Sequence, residues 1–425
     1  MKKEKQSNGS LILYMGIALA MVGYGIAMPL LPFYIENMGG GGIHLGLLIA
    51  AYGIMQFLFA PFWGGLSDTY GRKPILLVGM AGLATGMALM GTADRLWMLY
   101  AGQVLSGALS CAIYPAAMAY ISDSYPEDER SAAMGRIGSA AGLGIIIGPG
   151  IGGLLAFRSL STPFFTAASF CVLTFALMKF RLKESLDREN RPDKGKKGSL
   201  LPSFRNIRQG LSSPMALGLI ACFAIYFGKS GFSGVYGLFA LEKFGYGPGE
   251  VGLVLGIMGG IYALAQGLLV GPMTRKWGET TVIRAAFSLI AIAFVLMAAA
   301  SNTFTLLLSI GLFTLSTGIA KPAALSRISR SAENGRGAAM GTADSFMSLG
   351  RIMGPIFAGM VFDINIHLPY LGSGLFFGIM FLLTMRLKSG RKTKSRPESN
   401  RPRKQTEESR ATAQHIKIHS TFEIP

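Results

Sequence analysis

Charge is scarce in this chain. Only 15% of its 425 residues are Asp, Glu, Lys or Arg, against about 25% in ordinary soluble domains. A soluble chain of this length would fold into two or three domains under a charged skin, and too little charge is present to make one. Cysteine is scarcer still. Cys111, Cys171 and Cys222 each sit inside an apolar run, which excludes a disulfide framework and a Cys-x-x-Cys metal site. The four histidines, His44, His367, His415 and His419, fall in expected loops or near the end of the chain, so no histidine relay runs through the apolar segments. No Gly-x-x-x-x-Gly-Lys-Ser/Thr loop is present, so ATP is not expected to drive the protein directly. No cofactor and no metal site are expected. Alternating polar and apolar residues, the mark of membrane-barrel strands, are also missing.

What replaces charge is apolar and small. Hydrophobic residues make up 51% of the chain, with 57 Gly and 23 Met, and the mean hydropathy is +0.44. Yet the net charge is +18. A chain that is both very apolar and very basic must keep the two properties in different places. That pattern points to a multi-pass membrane protein with basic loops. It argues against a nucleic-acid binder, a soluble enzyme, a secreted scaffold and a disordered chain.

A spanning helix needs about 20 mostly apolar residues. Twelve such runs occur, at about 11–35, 45–66, 75–93, 96–121, 132–156, 162–180, 214–240, 251–272, 280–300, 303–326, 337–361 and 368–386. The first follows Lys2, Lys3 and Lys5 and so resembles a signal peptide, but it continues to about Ile35, long enough to cross a bilayer. The backbone must satisfy its own hydrogen bonds in lipid, so each run is expected to be helical. An even number of spans puts both ends of the chain on one side. That side then carries 32 of the 40 Lys and Arg, the other side carries Arg95, Arg158 and Lys243, and five bases lie within spans. The positive-inside rule makes the basic side cytoplasmic.

The two sets of six spans repeat one another at an offset of 206 or 207 residues. Gly25 matches Gly231, Gly46-Leu47 matches Gly252-Leu253, and Gly53 matches Gly259. Pro115-Ala116-Ala117 matches Pro322-Ala323-Ala324, and Gly148-Pro149 matches Gly354-Pro355. The expected fold is therefore all-α and integral to the membrane, with twelve transmembrane helices as two parallel six-helix repeats. Its expected parts are a first half over 1–181, a basic cytoplasmic linker over 182–213, a second half over 214–388 and a disordered basic tail over 389–425. Parallel repeats of this kind hold a substrate site near mid-membrane between the halves.

Three stretches carry chemistry. The loop after the second span reads Gly64-Gly65-Leu66-Ser67-Asp68-Thr69-Tyr70-Gly71-Arg72-Lys73-Pro74. It resembles motif A of the major facilitator superfamily, keeping Gly64, Asp68, Gly71, Arg72 and Lys73 and departing at Thr69, where a base is usual. The resemblance implies that Asp68 latches the gate when the cytoplasmic end is closed. The fifth span contains Gly144, Gly148-Pro149 and Gly152-Gly153. This resembles motif C of drug-exporting antiporters in the same superfamily and favours export over uptake, although small residues four apart also serve plain helix packing. In the fourth span Gln103 stands where those exporters carry an Arg tied to proton transfer.

Charges deep in a membrane are costly and mark function. Asp344 is the one acid well inside a span, and Arg351 follows it by seven residues, two turns along one face. Asp344, Arg351, Lys321, Lys229 and Arg136 are the main candidate coupling charges, with Glu36 and Asp123 nearer span ends. One arrangement has Asp344 paired with a base in one conformation and protonated in the other; the other is a permanent structural pair. Lys229 and Lys321 alternatively attract an anionic group of the substrate. Tyr24, Gln103, Tyr114, Tyr226 and Tyr236 are candidate walls of the substrate cavity. The resemblance implies a secondary transporter in a bacterial-type plasma membrane, exporting small amphipathic compounds in exchange for protons. Its partners would be a small molecule, protons and the bilayer, with no nucleic acid, and it would act as a monomer. A narrower exporter of tetracycline, a sugar or a siderophore is the alternative, as is an uptake symporter.

Overall fold

The computed structural model describes residues 2–186, 213–331 and 336–386. Most of the expected linker and all of the expected tail lie outside the described residues. Among the described residues, twelve helices are long and apolar enough to cross a membrane: Gly9–Asn37, Gly42–Tyr70, Arg72–Gly91, Leu96–Ser124, Glu127–Ala156 and Thr162–Arg181, then Ala216–Phe244, Pro248–Trp277, Glu279–Ala299, Thr303–Arg330, Ala339–Phe362 and Leu368–Met385. These are spans one to twelve below.

Several spans outrun their apolar runs, because the helix continues into polar ends that suit its dipole. Span five starts at Glu127 and places Glu127, Asp128 and Glu129 in its first turn, where acids stabilise a helix. Proline shapes the helices unevenly. Pro149, Pro322 and Pro355 sit inside unbroken helices. Span four breaks at Cys111, four residues before Pro115, whose missing N–H leaves that carbonyl without its helical donor. Span one passes through a short 3₁₀ turn, Met28–Leu30, between Ala27 and Pro32. Span eight widens into a π-helical turn at Ala265–Leu269, a feature that often accompanies functional sites.

The two sets of six pack alike. Span one lies along span five, and span seven along span eleven. Gly144, Gly148 and Gly152 bring span five against Ala18, Gly25 and Ile26 of span one. Gly350 and Gly354 bring span eleven against Phe223 and Phe227 of span seven. The same kind of contact then joins the halves. Gly46 of span two meets the Pro355 carbonyl, and Gly252 of span eight meets the Pro149 carbonyl. A side chain at either glycine would overlap backbone.

These contacts between halves lie from mid-membrane to the end opposite the basic loops. Along spans two and eleven they run from Gly42 beside Asp363 to Gln56 beside Arg351. Along spans five and eight they run from Gly153 beside Gly249 to Ile146 beside Gly259. Toward the basic end the picture changes. A Cβ added at Gly64, Gly65, Gly138 or Gly142 would meet no atom within 4 Å. The last turns of span eight, Val270–Trp277, bury no residue. The halves are thus closed at one end and open at the end that carries the basic loops.

Candidate functional site

Where the halves part, spans seven, ten and eleven present the cations Lys229, Lys321 and Arg351, and span eight presents the Tyr262 ring. Arg351 is the hub. Its Nη1 donates to Gln56 Oε1 across the halves at 2.5 Å. Its Nη2 lies 3.8 Å from Asp344 Oδ1, an ion pair longer than a hydrogen bond. Its guanidinium carbon lies 5.1 Å from the Tyr226 ring centre, and Lys321 Nζ lies 5.5 Å from the same ring. Lys229 Nζ sits 4.3 Å over the Tyr262 ring. Tyr114, half exposed on span four, is within electrostatic reach of Lys321 and Asp344. The Asp344 side chain is 66% exposed. The seven-residue spacing therefore does place Asp344 and Arg351 side by side.

The facing wall in the first half is neutral. Tyr24 and Tyr52 pair with ring centres 5.6 Å apart, and both are within electrostatic reach of Arg351. Behind them a narrow pocket is lined by Met28, Met87, Met90 and the buried Gln103. Apolar, aromatic and thioether groups on one side and cations on the other make a surface suited to amphipathic molecules.

The remaining candidates lie elsewhere. Tyr236 is 1% exposed and stacks on Phe232 inside the second half, so it lines no cavity. Asp123, a candidate coupling charge, lies in the network around Arg72 and not beside Arg351. It accepts from Arg72 Nε at 2.8 Å at the basic end of span four. Arg136 is exposed on the basic half of span five, near Tyr14. Glu36 is exposed at the closed end, within electrostatic reach of Glu242.

The loop after span two is a network centred on Arg72, whose side chain is 9% exposed. Arg72 pairs with Asp68 and with Asp123. Its Nη1 also donates to Ser67 Oγ. The backbone N–H groups of Arg72 and Lys73 donate to the Glu184 carboxylate at 2.8 and 3.2 Å, and Lys73 Nζ donates to the Lys179 carbonyl. Gly71 has φ of 110°, a conformation that demands glycine. Asp123 and Glu184 are partners the sequence does not announce, because they lie 51 and 112 residues from Arg72.

The closed end has its own acid. Asp363, at the end of span eleven, accepts from the N–H groups of Gly42 and Ile43 at 2.5 and 2.9 Å. A carboxylate from one half thus caps the first turn of span two in the other, where free N–H groups and the helix dipole favour it.

Comparisons with known proteins agree with this architecture. The sequence profile described as Major Facilitator Superfamily matches residues 13–224 and again 218–422. The chain is similar to "Multidrug resistance protein 2" of Bacillus subtilis, 31% identical over 387 residues, covering 91% of this chain and 97% of that protein. It is similar to "Tetracycline resistance protein, class C" of Escherichia coli, 33% identical over 362 residues, covering 84% and 90%. The crystal structure of the human organic anion transporter MFSD10 superposes with a TM-score of 0.67 at 23% identity, over 89% of this chain and 99% of that one, a likeness of fold. On the profile matches and the extent of these similarities, the chain is a multi-pass membrane protein that belongs to the Major Facilitator Superfamily.

Proposed function

We propose that the protein is a secondary active exporter of small amphipathic, drug-like compounds in the plasma membrane, working by alternating access and exchanging them for protons. It acts as a carrier rather than an enzyme, and as a monomer in the bilayer. One observation carries the reading: a cavity between the halves, open at one end only, with the one mid-span carboxylate, Asp344, exposed on its wall beside Arg351. The names of the relatives, multidrug and tetracycline resistance proteins, support the same class of cargo. So does the glycine-rich stretch of span five, which packs against both span one and span eight.

The basic end is cytoplasmic by the positive-inside rule, with both ends of the chain on that side, so this conformation faces inward. Cargo enters from the cytoplasm and lodges between the Tyr24–Tyr52 wall and the Tyr226 cluster. The halves then rock. The Asp363 cap on span two breaks, Gly46 and Gly252 separate from the opposing carbonyls, and the open space at Gly64 and Gly142 closes. Arg72 holds Asp68 in place on the rigid Asp123–Glu184 frame, ready to meet the second half. In the outward-facing state Asp344 takes a proton. In the inward-facing state it gives the proton up to the cytoplasm and returns to Arg351.

Accumulation of ethidium and tetracycline in cells expressing the protein tests this reading. Expressing cells should hold less of at least one compound than empty cells, and a protonophore should erase the difference. Equal accumulation across a panel of such compounds, with the protein confirmed in the membrane, would refute it.

A further inference from the structure

The cations in the cavity outnumber its acid. Lys229, Lys321 and Arg351 come together from spans seven, ten and eleven, and among the described residues Asp344 is the single carboxylate beside them. Among the described residues the ion pairs are Arg72–Asp68, Arg72–Asp123, Arg330–Glu279 and Arg351–Asp344. Neither Lys229 nor Lys321 is in any of them. Three cations and one carboxylate leave the cavity about two charges positive. Tyrosine rings lie under all three cations, and the Tyr226 ring is shared by Lys321 and Arg351. A ring face holds a cation in place without neutralising it. Arg351 also keeps a buried Nε with no hydrogen-bond partner. Unbalanced charge at this depth is expensive, and a helix bundle built only for stability would not retain it.

We infer that the cargo is an amphipathic compound bearing an acidic group, a carboxylate or sulfonate, that docks on the Arg351–Lys321–Lys229 cluster while its apolar body lies against Tyr24, Tyr52 and the methionines. The inference rests on the carrier reading above and names the chemistry of its cargo. An acid group fits the charge count, because it neutralises cations that Asp344 leaves unpaired. Arg351 offers a planar guanidinium to a planar carboxylate, and Lys321, 5.5 Å from the same Tyr226 ring centre, offers a second donor. A purely cationic compound would find one carboxylate, already shared with Arg351, and three like charges. The first half supplies nothing comparable: its share of the wall is Tyr24, Tyr52, Met87, Met90 and Gln103, which fit a ring system and repel neither sign.

Two dyes that differ only in the acid test this: rhodamine B, with a free carboxylate, and its methyl ester. The purified full-length protein in lipid nanodiscs is titrated with each, following fluorescence anisotropy, and each is offered to inside-out vesicles for transport. The free acid should bind about tenfold or more tightly than the ester, the scale of one charge-assisted hydrogen bond. Lys321→Gln and Arg351→Gln should each bring the acid-to-ester affinity ratio from about tenfold to about one, whatever they do to the two affinities together. A monodisperse size-exclusion profile shows that each variant is folded, and Lys321→Arg should keep the preference. Equal affinities for the two dyes, or a preference that survives both Gln variants, overturn the proposal, and transport of the ester then leaves the export reading standing. If neither dye binds or moves, the inference falls, and the accumulation panel above decides the export reading separately.

Discussion

Lys321 in span ten occupies the place that Tyr114 holds in span four, at the offset of 207 that aligns Pro322 with Pro115. At the offset of 206, Arg351, Asp344 and Lys229 stand where the first half has Ile145, Gly138 and Gly23. Not one charge of the cavity has a charged counterpart in the other half. The small residues behave in the opposite way. Gly46 and Gly252 match, as do Pro149 and Pro355, and each glycine sits on the other half's matching proline carbonyl. The comparison separates two jobs. Positions where backbones touch are held in common, because both halves must close on each other by the same geometry. Positions lining the space between the halves have diverged, leaving a neutral aromatic wall on one side and a cationic wall on the other.

The largest effects are expected where the halves are alike. Gly46→Val and Gly252→Val each push a side chain into backbone that cannot yield. At about 1–3 kcal/mol of overpacking, each should cut transport by about tenfold to a hundredfold. Gly260→Val, placed in open space, should stay near wild type. Uptake of a transported dye into inside-out vesicles measures all three, with membrane content as the control. If the two interface variants differ widely from each other, closure is not shared equally by the halves.

Next come the positions where the halves differ. Asp344→Asn should lower proton-driven transport by about tenfold, the cost of about 1.4 kcal/mol, while dye binding persists. Gly138→Ala, at the matching place in the first half, should leave both unchanged. A proton-driven rate untouched by Asp344→Asn would reduce its contact with Arg351 to a structural pair.

Asp363→Asn should have a smaller effect. It keeps one acceptor for span two but removes the charge, worth about 0.3–1 kcal/mol at a helix N-terminus. The inward-facing population should fall by about two- to fivefold. Spin labels at Glu36 and Asn365, exposed on the two halves at the closed end, should show a longer distance gaining weight. An unchanged distribution would show that the packing of Gly46 and Gly252 holds that end closed alone.

Much of the fold was legible because membrane insertion writes it in plain composition. Apolar length gave the spans, and the matched glycines gave the repeat. The pairing of Asp344 with Arg351 was legible too, since seven residues return a helix to the same face. What escaped depends on contacts between distant segments. Gln56 meets Arg351 across 295 residues, and Asp363 meets Gly42 across 321. No local pattern marks either. Tyr236 was misplaced because periodicity cannot say which face of a helix apolar all round meets a cavity. The break at Cys111 follows from Pro115, whereas the same proline in span ten leaves its helix whole, so sequence alone does not decide where proline breaks a span.

Proton flux in proteoliposomes tests the central claim most directly. Purified full-length protein is reconstituted with a pH-sensitive dye sealed inside, and a transported compound is added to the face that carries the basic loops. The account predicts proton movement opposite to the compound, present with the wild-type chain and reduced about tenfold with Asp344→Asn. Movement of the compound with no accompanying proton flux, or with protons travelling in the same direction, would contradict it.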